Sequence, residues 1–192
     1  MKDLLTIRQQ DIEPEYVEQE DVEYRDRYAA RAVLMDSLGR IALLFAGTRG
    51  YYKLPGGGVE LGEDMSLALA RELLEEVGAE AEVDGEIGRV EEWRVTSEKA
   101  LHQISDAFSA HVVGEIGEPS FTEKELADGF EVFWAKNIDE AITLVSQTVD
   151  HDDIEVRFMS LRDKTILEAA KELQWLMNFG KIWAIDTQKR IG

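Results

Sequence analysis

The sequence predicts an α/β fold, a mixed β-sheet flanked by helices. Three observations predict it. An amphipathic segment, Asp64 to Val77, sits mid-chain with strand-like runs on both sides. A second helical segment, Arg162 to Met177, lies near the end. No internal repeat, low-complexity tract or interdomain linker separates them. The chain has 192 residues and 44% hydrophobic content, enough for one well-packed domain and short for two.

Leu4 to Arg8 reads as a short first strand. Residues 9–24 are acidic, lack apolar periodicity and read as a loose connection. Residues 25–36 carry Tyr28, Ala30, Ala32, Val33, Leu34 and Met35 and form a strand. Ser37-Leu38-Gly39-Arg40 is a turn, and Ile41 to Phe45 resumes as the second arm of a hairpin. Tyr51 to Leu54 is a further short strand that ends at Pro55.

In the segment Asp64 to Val77, the residues Leu67, Ala70, Leu74 and Val77 recur at three- and four-residue spacing, with Leu73 beside them. Glu63 or Asp64 can cap the start of this helix, and Gly78 stands where a left-handed C-terminal cap is wanted. The face bearing Leu67, Ala70 and Leu74 is expected to bury against the sheet. Residues 80–96 and 101–114 read as strands, Phe130 to Ala135 as another, and Ile138 to Val145 as a short helix. The chain thus divides into residues 1–24, a strand and acidic connection; residues 25–150, the core; and residues 151–192, a helix and apolar tail.

Asp and Glu number 40 against 21 Lys and Arg, a formal net charge of −19. Such a surface repels the phosphate backbone, which argues against broad nucleic-acid binding. It also repels a free di- or triphosphate, so phosphate chemistry on this chain needs cations in the site. The absence of cysteine excludes a disulfide framework, a thiolate zinc site and a cysteine nucleophile. The first residues, Met1-Lys2-Asp3, turn polar too soon for a signal peptide, and the apolar run Ile41 to Ala46 is too short to span a bilayer. The expectation is a soluble, cytoplasmic protein with no membrane partner.

The chemistry lies in Gly57-Gly58-Val59-Glu60-Leu61-Gly62-Glu63 and in Arg71-Glu72-Leu73-Leu74-Glu75-Glu76-Val77-Gly78-Ala79. On a helix, Glu72, Glu75 and Glu76 stand at i, i+3 and i+4, so their carboxylates share one face. Like charges so placed destabilise an isolated helix, and a hard divalent cation is the natural compensation. Mg²⁺ and Mn²⁺ take oxygen ligands, and Mg²⁺ commonly bridges carboxylates to substrate phosphates. A Gly-rich turn lets backbone approach a ligand closely. Arg71 can pair with a neighbouring carboxylate and fix its orientation. Taken singly, an acidic helix face is usually solvated and a glycine run is a weak signal. Together they stand at fixed spacing: Gly, five residues, Glu, seven residues, then Arg-Glu, Glu-Glu and Gly.

On this segment, Gly57 to Ala79, the chain resembles the Nudix hydrolase superfamily. Every charged and glycine position of its signature box is matched, and Ala79 fills the last apolar position with a side chain smaller than the usual branched one. Tyr51 to Pro55 leads into the box as the family's preceding strand does, and Phe130 to Trp134 followed by Asp139-Glu140-Ala141 resembles its late strand and helix. The resemblance implies an α/β/α sandwich around a mixed sheet. It implies Glu75 and Glu76 as principal metal ligands, Glu72 as a third ligand or the group that deprotonates water, and the Gly57 carbonyl as a further ligand. Glu63 and Arg71 would orient these groups. It also implies Mg²⁺ or Mn²⁺ as cofactor and a small nucleotide as substrate. The reaction would be attack of water on a nucleoside diphosphate linked to another group, X. A nucleoside triphosphate, normal or oxidised, is the leading candidate; ADP-ribose and nucleotide sugars are alternatives, as is a module that binds such a nucleotide without cleaving it.

In this family a glutamate on a later loop often serves as base or extra ligand. Phe121-Thr122-Glu123-Lys124-Glu125-Leu126 precedes the late strand, and Glu125 is the favoured candidate, weighed against an ordinary acidic loop. Arg49 and Lys53 flank the approach to the box and could hold phosphates; Tyr52 could stack on a base, although strand aromatics more often fill cores. His102, His111 and His151 show no metal-ligand spacing. No Gly-x-Ser-x-Gly elbow occurs, and the glycine run lacks the Gly-Lys-Ser/Thr of a P-loop. From Leu173 the tail holds Trp175, Leu176, Met177, Phe179, Ile182 and Trp183, apolar enough to pack on its own domain or to form a homodimer.

Overall fold

The structure is a computed structural model that describes residues 1–18, 21–96 and 100–189, with side chains through Leu173. Its elements in order are β1 (Asp3–Arg8), α1 (Gln9–Ile12), β2 (Arg25–Met35), β3 (Ile41–Ala46), β4 (Tyr51–Lys53), α2 (Met65–Val77), β5 (Glu80–Val95), β6 (Ala100–Val113), α3 (Glu123–Ala127), β7 (Phe130–Ala135), α4 (Ile138–Ser146) and α5 (Ile154–Lys189).

The seven strands form one mixed sheet in the order β1-β5-β6-β2-β3-β4, with β7 also paired to β3. β1 runs parallel to β5 and β2 parallel to β6, while β5–β6, β3–β4 and β3–β7 are antiparallel. The expected β2–β3 hairpin pairs at one position, Met35 with Ile41, and the two strands then part. That parting leaves the edge of β2 open, and the segment 55–59 fills it. Ala30 N donates to Gly57 O at 3.0 Å, Ala32 N to Pro55 O at 3.1 Å, and Val59 N to Tyr28 O at 2.9 Å.

Alternation along the strands makes two cores, one on each face. Ala30, Ala32 and Leu34 of β2, with Ala42 of β3, meet Leu69, Leu73 and Val77 of α2. Val33, Ile41 and Leu43 point the other way, toward Phe158, Ile166 and Leu167 of α5 and Ala141 and Val145 of α4. This is the α/β/α sandwich. Ile7 of β1 and Ile12 of α1 belong to the same second core, so both ends of the chain pack on the central sheet. Ala79 is fully buried against α2, where its small side chain fits.

The orientation of α2 corrects the periodicity reading. Leu67 and Leu74 are 65% and 53% exposed, and Ala70 is exposed too. The buried stripe is Ala68, Leu69, Leu73, Glu76 and Val77. The two stripes differ by part of a turn, and the carboxylate face decides between them: Glu72 and Glu76 turn inward toward the glycine segment, and Leu67 and Leu74 then face out. The helix is capped as expected, with Asp64 accepting from Ser66 N at 2.9 Å and Gly78 left-handed at φ 72°. α5 begins eight residues before the expected Arg162, at Ile154. The expected connection 9–24 contains α1, and the expected loop around Glu125 is the helix α3. Of the apolar tail, the side chains from Trp175 to Trp183 lie outside the described residues.

Candidate active site

Local sequence explains why the box residues converge. β4 ends at Lys53, and Leu54 N donates to Asp163 Oδ2 of α5 at 2.9 Å, which fixes the strand end before the glycines. Gly56 has φ 120°, and a Cβ there would lie 2.2 Å from the carbonyl oxygen of Ala30, so only glycine lets the segment lie along β2. Gly57 follows with its carbonyl bonded to Ala30 N and with the Glu72 carboxylate closing over its Cα.

Glu76 is 3% exposed and its carboxylate is fully engaged: Oε2 accepts from Gly56 N at 2.6 Å and Oε1 from Lys53 Nζ at 2.9 Å. Glu72 accepts from Arg71 Nη1 at 2.9 Å. Burial raises the Glu72 pKa above the ordinary carboxylate range; the bond from Arg71 lowers it, the Glu76 charge raises it further, and the net is upward. Glu75 is about half exposed, with Arg71 Nη1 at 3.4 Å. Arg71 ties the box together. Its Nε and Nη2 each reach Glu63 at 3.0 Å, Nη2 also donates to Gly58 O at 3.2 Å, and the Glu63 bond leads the interactions that hold the guanidinium charged.

Gly56, Gly57, Gly58, Arg71, Glu72, Glu75 and Glu76 line a cleft of about 580 Å³ together with Arg31, Arg49, Lys53, Lys124 and Glu125. Seven of the chain's 21 Lys and Arg residues border it, in a protein whose acidic residues outnumber basic ones almost two to one. The cations that phosphate chemistry needs are therefore supplied in part by the chain itself.

The remaining candidates divide. Lys53 lies in the cleft, on Glu76. Arg49 borders it too, but its guanidinium is bound to Asp153 and lies 5.5 Å over the Tyr51 ring. Glu125 borders it from α3, with Oε2 accepting from Thr122 N and Oγ1, both at 2.8 Å, in a capping box. Tyr52 does not border it. Strand alternation sends Tyr52 to the opposite face, against Phe45 at 4.7 Å and Phe133 at 5.3 Å, and puts Tyr51 and Lys53 on the cleft side.

The residues missed by sequence reasoning are buried charges beneath the cleft. Arg162 and Asp163 of α5 and Glu92 of β5 are each no more than 1% exposed. Arg162 Nε donates to Asp163 Oδ1 at 2.7 Å and Nη1 to Glu92 Oε2 at 3.4 Å. Burial works against the Arg162 charge, and Asp163 and Glu92 outweigh it. Arg31 donates to Gly56 O, behind the glycine turn; burial, with Arg162 adding repulsion, lowers its pKa to about 10. In the sequence, the only signal was an arginine in the apolar run of β2.

The donor types suit a hard divalent cation: Glu72, Glu75 and Glu76 border the cleft with Gly57, whose carbonyl also accepts from Ala30 N. Among the described residues, however, no three acidic or histidine side chains are gathered into a ready-made cluster. Lys53 and Arg71 hold the carboxylates in this arrangement, and a cation would compete with them.

A Mycobacterium tuberculosis protein (strain CDC 1551 / Oshkosh) named MutT4 is 34% identical over 83 residues, 43% of this chain and 32% of that one. The chain thus matches about a third of that relative's length. A NUDIX hydrolase structure from Nitrosomonas europaea superposes with TM-score 0.53 at 22% identity, covering 72% of this chain and 88% of that one. A MutT protein from Methanosarcina mazei Go1 gives TM-score 0.51 at 19% identity, covering 79% and 98%. At such identities the likeness concerns the fold. The family profile of the NUDIX domain matches residues 25–172. The chain belongs to the Nudix hydrolase family.

Proposed function

We propose that the chain is a Mg²⁺- or Mn²⁺-dependent hydrolase of a nucleoside diphosphate linked to X, with a nucleoside triphosphate, normal or oxidised, as the leading substrate. The products are then a nucleoside monophosphate and pyrophosphate. The observation that carries this reading is the convergence of Glu72, Glu75, Glu76 and the Gly57 backbone on one cleft that Arg31, Lys53 and Lys124 also border. Carboxylates suit a divalent cation, and the basic groups suit the phosphates it would bridge.

Glu75, Glu76 and the Gly57 carbonyl would hold the cation, with Glu72 as a third ligand or as the base; when bound the cation neutralises phosphate charge and makes its water more acidic. Arg71 and Glu63 keep Glu72 and the Gly58 carbonyl in place. Gly56 N fixes one oxygen of Glu76. Glu72, with its raised pKa, suits a group that takes a proton from the attacking water; Glu125 faces the same cleft and is the second candidate. Lys53 and Arg31 offset negative charge on the transferring group.

A second reading is favoured by one observation. Glu76 already has Lys53 and Gly56 N as partners. A site so satisfied could bind a nucleotide without cleaving it. Release of phosphate or pyrophosphate from a panel of nucleotides, with Mg²⁺ or Mn²⁺, separates the two. Hydrolysis that is lost in Glu76→Gln supports the enzyme. Calorimetric nucleotide binding with no turnover under either metal supports the binding module.

A further inference from the structure

A second cleft, of about 820 Å³, adjoins the first. It is walled by Tyr28, Leu61, Met65 and Leu101 among others, and it shares three residues with its neighbour: Arg27, Gly58 and Arg94. The two arginines therefore stand at the passage between the clefts, beside the glycine segment of the box.

Neither arginine has a hydrogen-bonded carboxylate partner among the described residues. Arg27 is exposed and donates from Nη1 to Gln103 Oε1, a neutral acceptor, at 2.7 Å. Among the described residues it makes no ion pair. Arg94 is about nine-tenths buried, and its Nε has no partner. Its recorded carboxylate contact, Glu92 Oε1, is 3.9 Å from Nη1, beyond hydrogen-bond distance, and the other oxygen of Glu92 accepts from Arg162 and Gln103. Around this point four guanidiniums, those of Arg27, Arg31, Arg94 and Arg162, meet two carboxylates, Glu92 and Asp163. Glu72 and Glu76 are taken by Arg71 and Lys53. A buried guanidinium without an anion is costly, and the shortage is at the one place where both clefts can reach it.

We propose that Arg27 and Arg94 form an anion subsite between the clefts, which holds a phosphate group of the substrate other than the scissile diphosphate. The inference rests on the hydrolase reading and deepens it: the preferred substrates are nucleotides with a further phosphate. The scissile diphosphate lies against Glu72 and Glu76 and the extra phosphate on the two arginines; where that phosphate is carried by the sugar, the attached organic group enters the second cleft, and where it ends a phosphate chain, the nucleoside lies on the other side of the scissile linkage. Guanidiniums bind phosphate through paired N–H donors, and such charge-assisted bonds discriminate strongly against a partner that lacks the phosphate.

The test uses the full chain and substrates paired so that only one phosphate differs: ATP with ADP, coenzyme A with dephospho-coenzyme A, and NADPH with NADH. The readout is the ratio of KM values within a pair. Wild type should favour the phosphorylated member of at least one pair by about tenfold, and Arg27→Gln and Arg94→Gln should each bring that ratio close to one, with kcat for the pair changing far less than KM. The pair that responds tells a chain phosphate (ATP) from a sugar phosphate (the other two). Arg27→Lys and Arg94→Lys, which keep the charge, should restore part of the ratio. If Arg94→Gln does not fold, Arg27→Gln at its exposed position reads the same ratio. A wild-type ratio near one in every pair, or a ratio left intact in both Gln variants, overturns the subsite. If no member of any pair is hydrolysed with either metal, the hydrolase reading fails. The same ratio of Kd values, measured by calorimetry, then decides the subsite separately.

Discussion

The Lys53 ammonium lies 2.9 Å from Oε1 of Glu76, a side chain only 4% exposed. Lys53 itself is largely enclosed and sits 5.0 Å over the Phe130 ring. This pair occupies a carboxylate that the proposed reaction needs for a cation. Breaking a buried pair by removing one partner costs roughly 3–5 kcal/mol, because the other charge is left uncompensated. Lys53→Met should therefore lower metal-free stability by up to that amount, and Mg²⁺ should raise its melting temperature more than it raises that of wild type. Thermal unfolding with chelator and with excess Mg²⁺ measures both. An equal Mg²⁺ shift in the two proteins would mean that Lys53 and the cation do not compete for Glu76.

Gly57 makes a sharper test of the site than any carboxylate. A Cβ at Gly57 would lie 2.3 Å from Cδ of Glu72, so Gly57→Ala must push that carboxylate aside. The disturbance is confined to the cleft, since the backbone of Gly57 stays bonded to Ala30 N. The expected result is a fall in kcat/KM of about a hundredfold with the fold retained, in line with misplacement of a catalytic group by an ångström or so. Steady-state kinetics beside a far-UV spectrum would check it. Near-wild-type kcat/KM would remove Glu72 from the chemistry.

Asp36 gives a pH-dependent prediction away from the site. Its side chain is 5% exposed and accepts from Leu38 N at 2.9 Å, Arg40 N at 2.8 Å and Arg40 Nε at 2.7 Å. Burial alone would raise its pKa, but these bonds outweigh burial and hold it below the ordinary aspartate range. A lowered folded-state pKa means that the carboxylate stabilises the fold above its unfolded pKa and that this stability is lost as pH falls through the folded value. Asp36→Asn should therefore lose about 1–3 kcal/mol at neutral pH. The gap from wild type should narrow once pH drops below the unfolded aspartate pKa of about 3.9. Urea titrations at about pH 7 and about pH 3 test the sign, and a gap that widens in acid would refute it.

Some of this molecule was legible in the sequence and some was not, for physical reasons. The strands and α2 were found within a residue or two because their signals are local: alternation, an Asp64 cap, a Gly78 exit. Family spacing picked out Glu72, Glu75 and Glu76, which do line one cleft. Tyr52 was misplaced because three residues of β4 contain two tyrosines, and local pattern does not say which faces the site. The buried arginines were invisible because Arg162 lies far in sequence from Glu92 and Arg94, and only the stacking of α5 on β5 brings it to them. A charged residue in a strand normally reads as solvent-facing.

The helix α2 tests the same point in energetic terms. Its sequence offers two apolar stripes of similar quality, one through Leu67 and Leu74, the other through Leu69 and Leu73. Periodicity weighs them alike, since both contain leucines at helical spacing. The structure buries Leu69 and Leu73 to 1% exposure and leaves Leu67 at 65%. What breaks the tie is the electrostatics of the opposite wall: Gly56 N and Lys53 draw Glu76 inward, and Leu69 and Leu73 share its side of the helix. Leu69→Ala should therefore cost roughly 2–5 kcal/mol through lost burial and a residual cavity, while Leu67→Ala should stay within about 0.5 kcal/mol of wild type. Because Leu69 supports the helix that carries all three glutamates, its loss should also reduce activity, whereas Leu67→Ala should keep kcat. Urea unfolding of the two variants decides the orientation of α2. If Leu67→Ala proves the more costly, the helix is rotated, Glu72 and Glu76 turn away from Gly57, and the cleft described above does not form.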